Sequence, residues 1–90
     1  MKLYLNKFGT TLSSRQFGRE AYNAIRPMLM DVPQDEKIEV DFEGVVTFSP
    51  SWGDEVLTKL KDEFKDRVVL LDSDNPSVKA TLELLESIHG

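Results

Sequence analysis

The stretch from Ile38 to Glu55, IEVDFEGVVTFSPSWGDE, constrains this 90-residue chain more than any other. Ile38, Val40 and Phe42 alternate with Glu39, Asp41 and Glu43, the period of a strand with one buried face. Glu43-Gly44 marks a turn, a short apolar link follows, and Ser49-Pro50 opens a helix, serine as N-cap and proline at the first helical position. Asp54 and Glu55 fall near the first turn, where the helix dipole favours acids. Strand, turn and capped helix in eighteen residues define an α/β unit, and the acidic outer face of the strand argues against helices covering both sides of the sheet.

The flanking segments repeat the pattern. Lys2–Phe8 partly alternates and predicts a first strand, broken at Gly9-Thr-Thr11. Ser13 as N-cap with Gln16, and Leu12 with Phe17, predict a capping box and a hydrophobic staple for a first helix. Phe17, Ala21, Ala24, Ile25 and Met28 share one face at ~100° per residue, the expected core side. Pro27 predicts an end or kink near Ile25. In the second helix Trp52, Val56, Leu57, Leu60 and Phe64 form the apolar stripe. Val68-Val-Leu-Leu71 predicts a central strand. Asn75-Pro76 opens a third helix, with Val78, Leu82, Leu85 and Ile88 on its apolar face and Gly90 after its end. The expected fold is one small α/β domain over residues 1–90, β-α-β-α-β-α, a two-layer sheet with its helices mainly on one face.

Several classes of function find no support. The only histidine, His89, is penultimate, and there is no cysteine. A zinc site and a serine–histidine–acid triad therefore lack their parts. No glycine-rich phosphate loop is present, and 90 residues leave little room for a carboxylate-paired cleft. No enzyme activity, cofactor or metal is expected; the two acids of Asp72-Ser-Asp74 read as a turn with local hydrogen bonds. No apolar run approaches the ~20 residues of a membrane span. The N-terminus is too short and polar for a signal peptide, which with the lack of cysteine fits a cytoplasmic protein. Net charge is −5, unsuited to broad nucleic-acid binding. It is unevenly spread: residues 1–30 carry five bases and one acid, residues 31–66 eleven acids and four bases. Such asymmetry suits docking to a charged protein surface.

Two segments carry a family resemblance. Leu12-Ser-Ser-Arg15 opens the first helix. Val40-Asp-Phe-Glu-Gly-Val45 followed by Phe48-Ser-Pro-Ser-Trp-Gly-Asp-Glu55 gives an aspartate–aromatic–x–Gly–Val strand, a serine-rich turn and an acid-rich helix start. Together they resemble the STAS-like domain of unknown function, a bacterial relative of the anti-sigma-factor antagonists and of the STAS domains of sulphate transporters. The resemblance covers roughly residues 3–85. It implies a small α/β regulatory module that binds protein, with a histidine-kinase-type ATPase or sigma-factor regulator as the kind of partner. It also implies control by phosphorylation of a serine at the start of the second helix. The antagonists' acceptor position falls on Pro50, which cannot be phosphorylated. Ser49 and Ser51 flank it and are the candidate acceptors.

The expected partner surface is the turn 47–54, including Pro50, Trp52 and Asp54, together with a basic stripe of Arg15, Arg19, Tyr22 and Arg26. Those four lie within about 60° on a helical wheel, opposite the expected core face. Each has a plain structural alternative. Ser49 can be a simple cap, Ser51 a solvated first-turn residue, Trp52 a core residue, and the arginines partners of the chain's own acids. Two further functions are consistent with the residues. One is an acidic inhibitor or nucleic-acid mimic using the Asp/Glu surface of residues 31–66, whose action charge reversal at Glu39, Asp41 and Glu43 would abolish; the other is a nucleotide or phosphate sensor using the second helix's start and Arg15.

Overall fold

The central strand is the one with the clearest alternation. In chain order the elements are β1 (Lys2–Tyr4), a 3-10 turn (Leu5–Phe8), β2 (Thr11–Leu12), α1 (Arg15–Met30), β3 (Ile38–Asp41), β4 (Thr47–Phe48), α2 (Pro50–Gly53), a π-helical turn (Asp54–Thr58), α3 (Lys59–Phe64), a 3-10 turn (Lys65–Arg67), β5 (Val68–Leu70) and α4 (Pro76–His89). The computed structural model describes residues 1–89; Gly90 and the side chain of His89 lie outside the described residues. β3 runs between β1 and β5, all parallel, with Leu3 opposite Val40 and Val40 opposite Leu70. Ile38 and Val40 are buried while Glu39 and Asp41 stay half-exposed. The sheet therefore has one covered face and one open acidic face, as its alternation requires.

The Val68 run is not central. It forms an edge strand, and none of its three residues is fully buried. A four-residue aliphatic run fits a buried strand, but strand order depends on which crossovers fold over which strand, and that is a long-range property. The chain visits β1, β3 and β5 in spatial order. Successive crossovers of the usual hand then place α1 and the second helical segment on one face, where α1 packs on α2 and on the π turn.

A second, two-stranded parallel sheet pairs β2 with β4, Leu12 opposite Phe48. Residues 9–11 read as a break and residues 45–48 as a link, because two-residue strands have no period to detect. β1 and β3 lie side by side, each is interrupted, and each resumes beside the other as β2 and β4. The interruptions touch: Gly44 has φ +82, and a Cβ there would lie 2.9 Å from the side-chain Nδ2 of Asn6.

α1 departs from expectation in three ways. Its cap is Ser14, whose Oγ accepts a hydrogen bond from the Phe17 amide at 2.9 Å; with phenylalanine at N3 there is no reciprocal acceptor, so the expected Ser13–Gln16 box gives way to a simple serine cap. Its buried face is Gly18, Ala21, Tyr22, Ile25 and Leu29, whereas Phe17 is 66% exposed and Met28 44%. A glycine carries no hydrophobic signal, yet Gly18 sets the rotation. A Cβ there would sit 3.0 Å from both Cα and O of Trp52, so α1 turns its bare backbone toward α2. The helix also runs through Pro27 to Met30. Asn23 and Pro27 are both exposed, so water can satisfy the carbonyl that proline leaves unpaired, and buried Leu29 anchors the last turn.

The second helical segment holds the core stripe read from its spacing. Trp52, Val56, Leu57, Leu60 and Phe64 are all buried. Gly53 is spared a side chain by the Leu85 and Phe48 side chains, which a Cβ would meet at 3.0 and 3.1 Å. The close approach of another backbone is at Gly18, not at Gly53. Among the described residues, no helix is long and apolar enough to cross a membrane.

Candidate interaction site at the start of the second helix

Pairing of β2 with β4 brings two helix starts together. Each strand leads into a serine cap, Ser14 for α1 two residues after β2 and Ser49 for α2 directly after β4. The Ser49 amide donates to the Leu12 carbonyl at 2.9 Å. Its Oγ accepts from the Trp52 amide at 3.2 Å and donates to the Ser13 carbonyl at 2.8 Å. Ser49 is thus both cap and tie between the helices.

A third helix start locks the link. Asn75 Oδ1 caps α4 by accepting from the Ser77 and Val78 amides, at 2.7 and 3.2 Å. Its Nδ2 donates to the carbonyls of Val45 and Val46, at 2.7 and 3.0 Å. Ser77 Oγ accepts from the Phe48 amide at 2.9 Å, and the Ser77 and Thr81 hydroxyls donate to the Phe48 carbonyl. The Phe48 ring meets Trp52 edge-on at 5.8 Å and Phe42 at 5.4 Å, contacts worth ~1 kcal/mol each beyond their burial. The link is therefore a rigid apex. Val46 (64%), Thr47 and Pro50 stand exposed on it, and Ser49 and Ser51 are half-exposed.

The expected partner surface is only partly there. Trp52 is 1% exposed and Tyr22 6%, so neither ring faces outward: both lie on stripes that bury against the neighbouring helix. The basic stripe lies beside the buried face of α1, not opposite it, and meets the acids of the second helical segment. Arg15 Nη1 lies 3.1 Å from Asp54 Oδ2 and 3.0 Å from Glu55 Oε1, and Arg19 is 3.7 Å from Glu55. Lys59 Nζ reaches Glu55 Oε2 at 2.6 Å. The Tyr22 hydroxyl donates to Glu63, and Arg26 Nε is 2.8 Å from that carboxylate. Asp54 accepts from Thr58 Oγ1 at 3.0 Å.

Glu55 is the hub of this clasp. It is 7% exposed, and the hydrogen bonds of Lys59 and then Arg15 hold its carboxyl below the ordinary value, against the opposing effect of burial. The π turn places Glu55 toward α1 while Val56 and Leu57 stay in the core. Glu63 is likewise lowered, first by the Tyr22 hydroxyl and then by Arg26, and Tyr22 is raised by its burial and by Glu63. In the sequence Asp54 reads as a dipole-favoured acid and part of the partner surface, and Glu55 as a dipole-favoured acid alone; the ion pairs to α1 engage both. The chemistry here is cohesive: carboxylates with assigned cations. Among the described residues no group of three or more His, Cys, Asp or Glu could hold a metal ion. In the Asp72–Asp74 turn, Ser73 Oγ accepts from the Asn75 amide at 3.1 Å.

A small parallel α/β domain with helices on one face and a rigid serine-bearing apex is the class these features define. Residues 18–78, more than half of the chain, match the family described as STAS-like domain of unknown function (DUF4325), and the protein belongs to that family. The match contains Val40–Val45 and Phe48–Glu55; Leu12-Ser-Ser-Arg15 lies before it. No curated protein and no solved structure matches the chain.

Proposed function

We propose that this STAS-like domain is a non-catalytic regulatory module that binds a protein partner through the apex formed by Val46, Thr47 and Pro50, and that phosphorylation of Ser51 switches that contact. The observation that carries the reading is the division of labour between the two serines. The Ser49 hydroxyl is committed twice to holding α1 and α2 together. Ser51 sits half-exposed one turn before Asp54 and Glu55, on the face where Arg15 is held. A phosphate on Ser51 meets the positive end of the helix and competes with those carboxylates for Arg15. Membership of the STAS-like family supports a regulatory role, and a histidine-kinase-type ATPase or sigma-factor regulator is the kind of partner the resemblance implies. The arginines of α1 act in this reading from inside the clasp, not as a free docking stripe.

A pull-down of the tagged domain from its native lysate tests this, with mass spectrometry of the partners and of residues 44–59. The expected result is such a regulator retained by wild type, lost with Val46→Asp, altered by Ser51→Asp, and phosphate found on Ser51. Capture that is indifferent to both substitutions, with Ser51 never modified, would sink the proposal.

A further inference from the structure

β5 is an edge strand without the usual protection. Exposed edges are templates for pairing with another chain, and charged side chains on them discourage it. The opposite edge, β1, carries the exposed Lys2. β5 is Val68, Val69 and Leu70, followed by Leu71, with no charge among them, and Val69 is 37% exposed. Its outer side also has bonds to offer. The Leu71 amide donates to the Val40 carbonyl at 3.0 Å, and Leu70 is the register partner of Val40. In a parallel ladder this phase turns the backbone groups of Val69 and Leu71 toward β3 and those of Leu70 away from it. Among the described residues the Leu70 N–H and C=O have no hydrogen-bond partner, and the residue is half-buried. A strand laid along this edge satisfies both groups, which an apolar ligand cannot do.

The ends of β5 decide which strand fits. Arg67 precedes it, and Asp72 and Asp74 follow it. The Arg67 guanidinium holds the carbonyls of Val32, Pro33 and Glu36 and no carboxylate. Asp72 and Asp74 are exposed, and among the described residues neither is ion-paired. A second β5 laid antiparallel, about a two-fold axis at Leu70, sets the basic end of each strand beside the acidic end of the other: Arg67 comes opposite Ser73, between the two aspartates. A parallel copy would bring like charges together. In the antiparallel register the two Leu70 residues form a pair in which each N–H donates to the other's C=O, and Val69 stands opposite Leu71, an aliphatic cross-strand pair. Leu70 already borders an apolar groove with Leu57, Leu82 and Leu85, so the second Leu70 arrives beside apolar surface.

We propose that this protein pairs with a second copy of itself through β5, antiparallel about a two-fold axis, joining two three-stranded sheets into one continuous sheet. The contact uses none of the apex residues and does not depend on the apex having a partner.

The test is sedimentation velocity on the whole domain over a concentration series, with amide exchange read by NMR on the same samples. A reversible monomer–dimer equilibrium is expected. Protection of the Leu70 amide should rise with concentration, while that of the Leu71 amide, already bonded to Val40, should stay constant. Asp72→Lys with Asp74→Lys, at exposed positions, puts like charge beside Arg67 of the second copy and should weaken association about tenfold or more. Val69→Lys, a charge on the edge itself, should act in the same direction. A wild type that stays monomeric throughout would overturn the proposal and leave this edge to a strand from another protein. So would a dimer whose Leu70 exchange does not change with concentration, or one that the aspartate reversals leave as tight as before.

Discussion

Single residues decide more of this structure than their hydrophobicity suggests. Gly18 is the clearest case. At an exposed helical site, replacing glycine with alanine stabilises by ~1 kcal/mol. At Gly18 the added methyl would meet Trp52 backbone at 3.0 Å and the Glu55 Cβ at 3.1 Å. Backbone cannot swing aside as a side-chain tip can, so the sign reverses: Gly18→Ala should destabilise by ~1–3 kcal/mol, read from urea unfolding. A gain in stability would mean that α1 and α2 are not held this closely. Ser49 and Asn75 were legible as caps from their neighbouring prolines. Their second partners, the Ser13 carbonyl and the carbonyls of Val45 and Val46, were not, because those bonds span more than twenty residues. Asn75→Ala should therefore cost more than a cap alone, ~1–3 kcal/mol, and should speed amide exchange at Phe48. A loss of only a few tenths of a kcal/mol would show that the apex holds itself.

Among the elements, legibility followed the strength of local periodicity. β3 and the stripe of Trp52, Val56, Leu60 and Phe64 appeared in place because each has one strong period. α1 misled because its apolar residues are spread wide enough to support two rotations. The rotation that includes Phe17 and Met28 has more hydrophobic side chains; the one centred on Gly18, Ile25 and Leu29 permits close packing. These alternatives separate in one experiment. Phe17→Ser and Met28→Ser should change stability by no more than ~0.5 kcal/mol, as exposed substitutions do, whereas Leu29→Ala should cost ~2–5 kcal/mol. A large loss at Phe17 would restore the other face to the core. β2 and β4 are too short for any pattern, and the edge position of β5 follows from topology, which local spacing does not encode.

Across the whole molecule, the charge asymmetry finds its partner within the chain. The basic first third and the acidic middle fold against each other, with Arg15, Arg19 and Arg26 facing Asp54, Glu55 and Glu63. Most of these contacts are half-exposed and individually weak, but Glu55 is buried and serves three cations at once. Its carboxyl and that of Glu63 are held below the ordinary glutamate value of 4.5. A depressed folded value means that the unfolded chain binds the proton first as pH falls. The stabilisation is thus complete above that ordinary value and is lost as pH drops through the lower folded values. The urea midpoint should be nearly flat from pH 8 to 6 and fall below about pH 4.5. Glu55→Gln should lower the midpoint at neutral pH, because Arg15 and Lys59 lose their shared anion, and should flatten the acid limb, because one proton-linked group is gone. The two curves should converge as pH falls through the lowered Glu55 value. If Glu55→Gln keeps the wild-type acid slope, the clasp between α1 and the π turn does not govern the acid stability of the fold, and the charge asymmetry regains its claim as a surface for another molecule.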